Sequence, residues 1–380
     1  MIVERLRLAN VRNIESATIE LGQGVNLLVG ANGAGKTAVL EAVHLLLRRR
    51  SFRTPRAREV IRRGAPHMGV SLTGTDAVRG ELRVSTIHDA SGKVELRRNG
   101  ERVRQASAVA ALLPVQLMLP DLPDLVFGGP VVRRQWLDWG AFHVKQSYAD
   151  VQRDYSRALR QRNAALREMA AEGPTNAALD AWTEQVAELG ERLGEGRREY
   201  LREVTAPVAE CLHRLAPELK VSFALQQGWT GESLASVLAA GLARDVKSGV
   251  TRVGPHRADV QVLFEGQAAA SVLSRGQGKV LASALRIGQA LDLGRRDGAG
   301  SEAGDGVAQE TQAGRQTLFL VDDMGAELDE SHGERFFDLL SDIGCQILAT
   351  TVRPDSWFPG VSRGAAVMFH VEQGRISKAE

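Results

Sequence analysis

A short apolar run, a glycine-rich turn and an amphipathic stretch follow one another in the first fifty residues, and this order restricts the possible folds more than any other feature. Residues 25–29 read as a buried strand, and apolar residues recur at helical spacing from 38 to 47. Between them stands Gly30-Ala31-Asn32-Gly33-Ala34-Gly35-Lys36-Thr37, which fits the pattern G-x-x-x-x-G-K-[ST] without a mismatch. The glycines let backbone N–H groups turn onto phosphate oxygens, Lys36 adds a point charge, and the Thr37 hydroxyl can hold Mg²⁺. A helix that begins here aims its positive end at the same anion. The expected ligand is a nucleoside triphosphate with Mg²⁺. The competing explanation, a chance glycine-rich turn, does not account for the flanking strand and helix.

The 380 residues suffice for one large or two ordinary domains, and 43% hydrophobic with 25% charged residues lies in the soluble globular range. No apolar run approaches the roughly 18 residues of a membrane span. The alternating start, Met1 to Leu8, lacks the layout of a signal peptide, so a cytoplasmic location without a membrane partner is expected. Cys211 and Cys345 are too few for a disulfide framework or a zinc cluster. The net charge is only +2, but eight arginines (48, 49, 50, 53, 56, 58, 62 and 63) face the single acid Glu59 between positions 48 and 63. Such a block can neutralise nucleic-acid phosphates, with Arg48, Arg49, Arg50, Arg53 and Arg56 as candidate DNA contacts. A compositional bias competes with this, because arginine outnumbers lysine 41 to 7.

Strands are expected at 2–8, 16–21, 69–74, 81–88 and 93–97, with a two-residue hairpin turn at Asn99-Gly100. They suggest an antiparallel sheet beside the nucleotide core. Two helical runs, 144–172 and 176–215, flank a break at 173–175. Tyr148, Val151, Tyr155, Leu159 and Leu166 in the first arm, and Leu179, Trp182, Val186, Leu189 and Leu193 in the second, lie close to a coiled-coil seam. Glycines 190, 194 and 196 favour a short lobe over a long rod. Mixed structure returns with a strand at 220–226, a helix at 231–247 and a strand at 259–264, and 297–314 reads as a surface loop. The expected domains are 1–141, the first part of the head with the phosphate loop and β subdomain; 142–216, the helical lobe; and 217–380, the remainder of the head.

An apolar strand at 316–321 ends in Asp322-Asp323, as a Walker B segment requires: Asp322 to reach Mg²⁺, Asp323 to polarise the attacking water. Upstream, Leu273-Ser274-Arg275-Gly276-Gln277 opens a helix and resembles the L-S-x-G-Q signature of ATP-binding-cassette ATPases. In that superfamily the signature of one head meets the nucleotide held by another, so a single set of motifs implies an ATP-dependent homodimer with trans contacts from Ser274, Gly276 and Gln277. The other explanation for Ser274 is a plain helix cap. Residues 324–329 stand where that superfamily has its D-loop, and the strand 346–351 carries threonine where transport ATPases usually carry the switch histidine.

Nearly the whole chain resembles the RecF family of bacterial recombination mediators, head-only relatives of the chromosome-maintenance ATPases. The resemblance rests on Asn10-Val11-Arg12-Asn13, Ser51-Phe52-Arg53-Thr54, Arg133 to Asp138, Gly254 to Asp259 and the Asp-Asp form of Walker B. It implies an α/β, phosphate-loop ABC-type ATPase head with an antiparallel β subdomain and an inserted helical lobe. It further implies ATP and Mg²⁺ as cofactors, and weak DNA-dependent ATP hydrolysis. DNA partners would be double strands and their gapped junctions, and protein partners RecR, RecO and RecA. Gly30, Asn32, Gly33, Gly35, Lys36 and Thr37 take the phosphate-loop roles by this resemblance, and Arg12 lies where related heads place an arginine near the nucleotide. The long insertion at 297–314 and the Met324-Gly325 step depart from the family pattern. Asp323 is one methylene shorter than the glutamate of many related ATPases, which implies slow hydrolysis. Other classes remain: the ATPase subunit of a membrane transporter, which the long phosphate-loop-to-signature spacing and the missing histidine disfavour; a DNA-tethering head, which would carry a far longer insertion; and a phosphotransferase, which leaves the signature unexplained.

Overall fold

The computed structural model describes residues 1–145, 147–172, 177–299, 316–323, 330–353 and 366–379. The break at 173–175, most of the 297–314 loop and the segment 324–329 lie outside the described residues. The described chain divides into two packing units. One comprises Met1–Leu122, Arg214–Ala216 and Ser283–Glu380, and the other Pro123–His213 and Pro217–Ala282.

In the first unit, alternation of buried and more exposed residues, clearest in β4 and β5, marks an antiparallel sheet of β1 (Ile2–Val11), β2 (Ile14–Glu20), β4 (His67–Asp76), β5 (Gly80–Asp89), β6 (Val94–Arg98) and β7 (Glu101–Arg102). Its order is β2-β1-β4-β5-β6-β7. The hairpin turn falls at Asn99-Gly100, both at positive φ (50° and 87°), as a type I′ turn needs. A second sheet runs β15-β14-β3-β13-β12-β8, made of β3 (Val25–Val29), β8 (Val115–Met118), β12 (Leu318–Val321), β13 (Gln346–Thr351), β14 (Ala366–Glu372) and β15 (Arg375–Lys378). All its pairings are parallel except that of β15. Its middle strands β3, β13 and β12 are buried on both faces and largely apolar.

Helix α1 (Lys36–Arg48) packs against β1 and β4 of one sheet and β12 and β13 of the other, and eleven of its residues are buried. Gln346 ties the two sheets directly: its Oε1 accepts from the Val3 N–H (2.9 Å) and its Nε2 donates to the Val3 and Gly22 carbonyls (2.6 and 2.8 Å). Helices α2 (Ala106–Ala110) and α10 (Glu330–Asp342) complete this unit.

The second unit holds α3 (Asp124–Phe127), α4 (Pro130–Val144), the arms α5 (Tyr148–Glu172) and α6, and the three-stranded sheet of β9 (Val221–Gln226), β10 (Asp259–Phe264) and β11 (Gln267–Ala268). It also holds α7 (Leu234–Ser248) and α8 (Ala269–Val272). Helix α6 (Ala177–Leu215) begins in this unit, as does α9 (Arg275–Ala299). The expected seam residues Tyr148, Val151, Tyr155, Leu166, Leu179, Val186 and Leu193 are buried.

Packing cuts the chain at positions other than 141 and 216: residues 123–141 and 217–282 join the helical arms. The cause is visible in α4, whose Arg133 forms a bidentate pair with Asp259 of β10 (2.8 and 2.9 Å) and whose Trp136 stacks on Phe223 of β9. No described helix is long and apolar enough to cross a membrane.

Candidate functional site

Parallel strands release their chains at one edge of a sheet, and ligands of such sheets bind there. Here the C-terminal ends of β3, β12 and β13 deliver the phosphate loop, Asp322-Asp323 and Thr350 to one cleft of about 440 Å³. Its lining includes Arg12, Asn32, Gly33, Gly35, Lys36, Thr37, Arg53, Asp322, Asp323 and Thr350. A Cβ at Gly30 would stand 2.2 Å from the Val371 carbonyl oxygen, so the loop can leave β3 only through a glycine. Gly33 and Gly35 hold φ of 79° and 120°, a region closed to most side chains. No side chain caps α1, whose positive end therefore faces the cleft unblocked.

The Lys36 ammonium folds back onto the carbonyls of Gly30 and Ala31 (2.7 and 3.0 Å). Burial lowers its pKa, against the pull of Asp323 and Asp322. The Thr37 hydroxyl donates to Asp322 Oδ1 (2.9 Å), and Thr350 donates to the same oxygen (2.7 Å). Thr350 Oγ1 also accepts from the Asp323 N–H (3.0 Å). Asp323 sits at φ 48°, a left-handed conformation that aspartate tolerates better than most residues. The arrangement offers two hard oxygens on the cleft floor, from Thr37 and Asp322, and an ammonium above them; this donor set suits a divalent cation bound with a polyphosphate.

Arg12 approaches from the turn between β1 and β2, at φ of 52°. Its guanidinium grips the fully buried Glu41 carboxylate through two bonds (2.7 and 2.8 Å) and donates to the Glu59 carbonyl (2.7 Å). The hydrogen bond to Glu41 holds its pKa above the ordinary value. Ser51 Oγ donates to Glu41 as well, and the Arg53 guanidinium lies 3.7 Å from it. Arg53, expected among DNA contacts, thus lines the nucleotide cleft. Arg49, Arg50 and Arg56 are exposed and Arg48 is half-buried.

The signature residues fall in the second unit, at the start of α9, where Ser274 and Gly276 are exposed. Ser274 Oγ accepts from the Gln277 N–H (3.2 Å), while Gln277 Oε1 accepts from the Ser274 N–H (2.9 Å). This is a reciprocal capping box, so the motif closes the helix end within the chain itself. A Cβ at Gly278 would fall 2.1 Å from the Phe127 ring, which fixes α9 closely against α3.

Three cleft participants escaped the sequence: Asn13, whose Nδ2 donates to the Ala34 carbonyl (3.0 Å), Glu41 and Thr350. In the sequence Asn13 stands only within a family segment, and Thr350 only where transport ATPases usually carry a histidine. A buried carboxylate in an apolar helix, as Glu41 is in α1, was the one signal available for it.

The model of the RecF/RecN/SMC N-terminal domain matches residues 2–375. DNA replication and repair protein RecF of Pseudomonas syringae pv. tomato is 35% identical over 380 residues, covering all of this chain and 98% of the relative. RecF of Azotobacter vinelandii is 37% identical over 384 residues, covering all of this chain and 99% of its own. Among solved structures, the ATP complex of the recombination mediator RecF in the RecFOR pathway superposes with a TM-score of 0.84 at 24% identity, over all of this chain and 98% of the other. An Smc head bound to the C-terminal winged-helix domain of ScpA gives 0.57 at 14% identity, over all of this chain and 97% of the other. These two support the fold, the ABC-type ATPase head. With a family model along almost its whole length and full-length relatives above 30% identity, the chain belongs to the RecF family of DNA replication and repair proteins.

Proposed function

We propose that this chain is an ATP-dependent dimeric clamp on DNA in recombinational repair, which binds double strands and gapped junctions and acts with RecR and RecO in bringing RecA to the gap. ATP held at the phosphate loop would bring the charge that draws a second head, and Mg²⁺ would neutralise the phosphates during hydrolysis. The roles of the chain's own residues follow from the cleft. Lys36 exchanges its two carbonyl partners for phosphate oxygens, a trade favoured by the stronger bond to a charged acceptor. Thr37 and Asp322 are the residues that would hold Mg²⁺. Asp323, its backbone held by Thr350, would orient a water; its short side chain supports slow turnover, as expected of a reset step rather than a motor.

The observation that carries this proposal is the exposed capping box at the start of α9. The Ser274 hydroxyl accepts within its own chain, which leaves its hydrogen to donate, and the helix end beneath it favours an anion. One anion of the right kind is the γ-phosphate held by a second copy, and two-fold symmetry then completes both sites.

Light scattering with and without ATP and Mg²⁺ tests it, followed by gapped-duplex binding on the same samples. Wild type should become a dimer with ATP and retain DNA. Ser274→Arg should still bind nucleotide as a monomer but fail to dimerise; an undiminished dimer would remove the trans role. A constant monomer that ignores ATP would overturn the clamp.

A further inference from the structure

One carboxylate, that of Glu41, faces two guanidiniums. It is fully buried in α1, about one turn beyond Thr37. Arg12 takes both of its oxygens at hydrogen-bond distance (2.7 and 2.8 Å). Arg53 is left with an approach of 3.7 Å, too long for a hydrogen bond, and half of its side-chain surface stays open. Among the described residues its guanidinium donates no hydrogen bond. Two guanidiniums against one carboxylate leave a surplus of positive charge on the wall of the cleft that also holds Lys36 and Thr37. A bound polyphosphate would balance it.

The turn that carries Arg53 is built to keep it there. Ser51 Oγ accepts from the N–H groups of Arg53 (2.9 Å) and Thr54 (3.1 Å) and gives its own hydrogen to Glu41 Oε1. One hydroxyl therefore ties the backbone at Arg53 to the carboxylate that Arg12 grips. On the N-terminal side, His44 of α1 bonds the Arg50 carbonyl at Nδ1 (2.8 Å) and meets the Phe52 ring edge-on, with ring centroids 5.5 Å apart. On the C-terminal side, the Thr54 hydroxyl donates to the Glu59 carboxylate (2.5 Å), and the Glu59 carbonyl accepts from Arg12 (2.7 Å). Both ends of the turn thus lead back to α1 or to Arg12. A backbone placed in advance spares a binding arginine part of its ordering cost. Arg49, Arg50 and Arg56, the other exposed candidates for DNA, are not among the lining residues of the cleft.

We propose that Glu41 and Ser51 are positioning residues that present Arg53 to the polyphosphate of the nucleotide, so that Arg53 serves ATP rather than DNA. The proposal rests on the phosphate-loop reading above and adds a nucleotide contact from outside that motif. Phosphate is the favoured partner because the planar fork of a guanidinium matches two phosphate oxygens, and the 3.7 Å approach to Glu41 is readily exchanged for a shorter one. Arg12 keeps its bidentate pair in the exchange, so the buried carboxylate never stands uncompensated.

The test uses the full-length protein with Mg²⁺. Calorimetry measures its affinity for ATP and for tripolyphosphate, and a salt series at saturating ATP measures its affinity for a labelled gapped duplex. Arg53→Gln should weaken ATP and tripolyphosphate alike, by about tenfold, the value of one hydrogen bond to a charged group. It should leave the slope of log K against log salt for DNA unchanged. Arg53→Lys should recover only part of the loss, since an ammonium cannot supply the fork. Ser51→Ala should weaken ATP about threefold, and Arg53→Gln should then cost less in that background than in wild type, because the arginine is no longer presented. Ser51→Thr should restore both. Glu41→Gln keeps the size of the side chain and removes its charge, and should act as Ser51→Ala does; should it fail to fold, the serine variants carry the test. Equal costs of Arg53→Gln in the two backgrounds would remove the positioning role. Unchanged ATP affinity in folded Arg53→Gln would overturn the proposal. So would a loss for ATP with none for tripolyphosphate, which would assign Arg53 to the base or sugar, and so would a DNA salt slope reduced by about 0.9, the value for one backbone phosphate. A wild type that binds neither ATP nor tripolyphosphate would overturn the phosphate-loop reading as well.

Discussion

Thr350 shows how one hydroxyl can organise two carboxylates. It donates to the side chain of Asp322 and accepts from the backbone of Asp323, so it bonds both the proposed metal ligand and the proposed water-orienting residue. Thr350→Val keeps the shape and removes both bonds. We expect turnover to fall at least tenfold and stability by about 1–3 kcal/mol, the cost of leaving partly buried polar groups unmet. Steady-state ATPase assays with urea unfolding measure the two effects, and Thr350→Ser should restore most of both; normal turnover in the valine variant would reduce Thr350 to packing. The phosphate loop and the Asp-Asp pair could be located from sequence because their chemistry needs fixed spacing between near neighbours. Thr350 could not, because it meets Asp322 across 28 residues and a parallel strand pair, and nothing local announces such a meeting. The same holds for Glu41 and Arg12, 29 residues apart.

Among the elements, α1 was readable because its core-facing residues recur at helical spacing, but its position between two sheets was not. Leu40 is fully buried there, in the apolar cluster shared by both sheets. Leu40→Ala should cost about 2–5 kcal/mol, at the upper end if the two sheets hold the gap open. Urea unfolding would read this, and a loss under 1 kcal/mol would mean that the sheets close around the missing atoms. Helix α4 was largely missed. The helical runs read from the sequence begin only at 144, and Gly140 in the interior of α4 weakens its helical pattern. That glycine has a tertiary reason: a Cβ there would come within 2.0 Å of Tyr200. Strand β15, at the sheet edge, is short and polar and gives no clear strand pattern, whereas β14, paired on both sides, is largely apolar but was not among the strands expected from the sequence.

At the scale of the molecule, the short segments that carried the family resemblance pair off within their units. Asn10 to Asn13 meets Ser51 to Thr54 over Glu41, and Arg133 to Asp138 meets Gly254 to Asp259 through an ion pair. Their order along the chain was legible, whereas their pairing depends on folding. Stability should also respond to pH through buried histidines. Burial lowers His44 to about 3 and His88 to about 4, below the roughly 6.5 of an unfolded chain. Between those values the unfolded state binds more protons, so stability is full above about pH 6.5 and falls as the pH drops toward 3. Urea unfolding at several pH values should give His44→Gln a flatter dependence than wild type, and equal slopes would remove His44 from the effect. The capping box at the start of α9 has a consequence of another kind. Ser274 and Gln277 close a helix in every copy of the chain, whether or not a second copy ever arrives. A descendant that had abandoned dimerisation would still lose stability by changing either residue, so the signature would persist in it as a remnant maintained by folding alone. Finding the motif in a distant relative therefore records a well-made helix end first, and a pairing of heads only when the facing phosphate loop is intact as well.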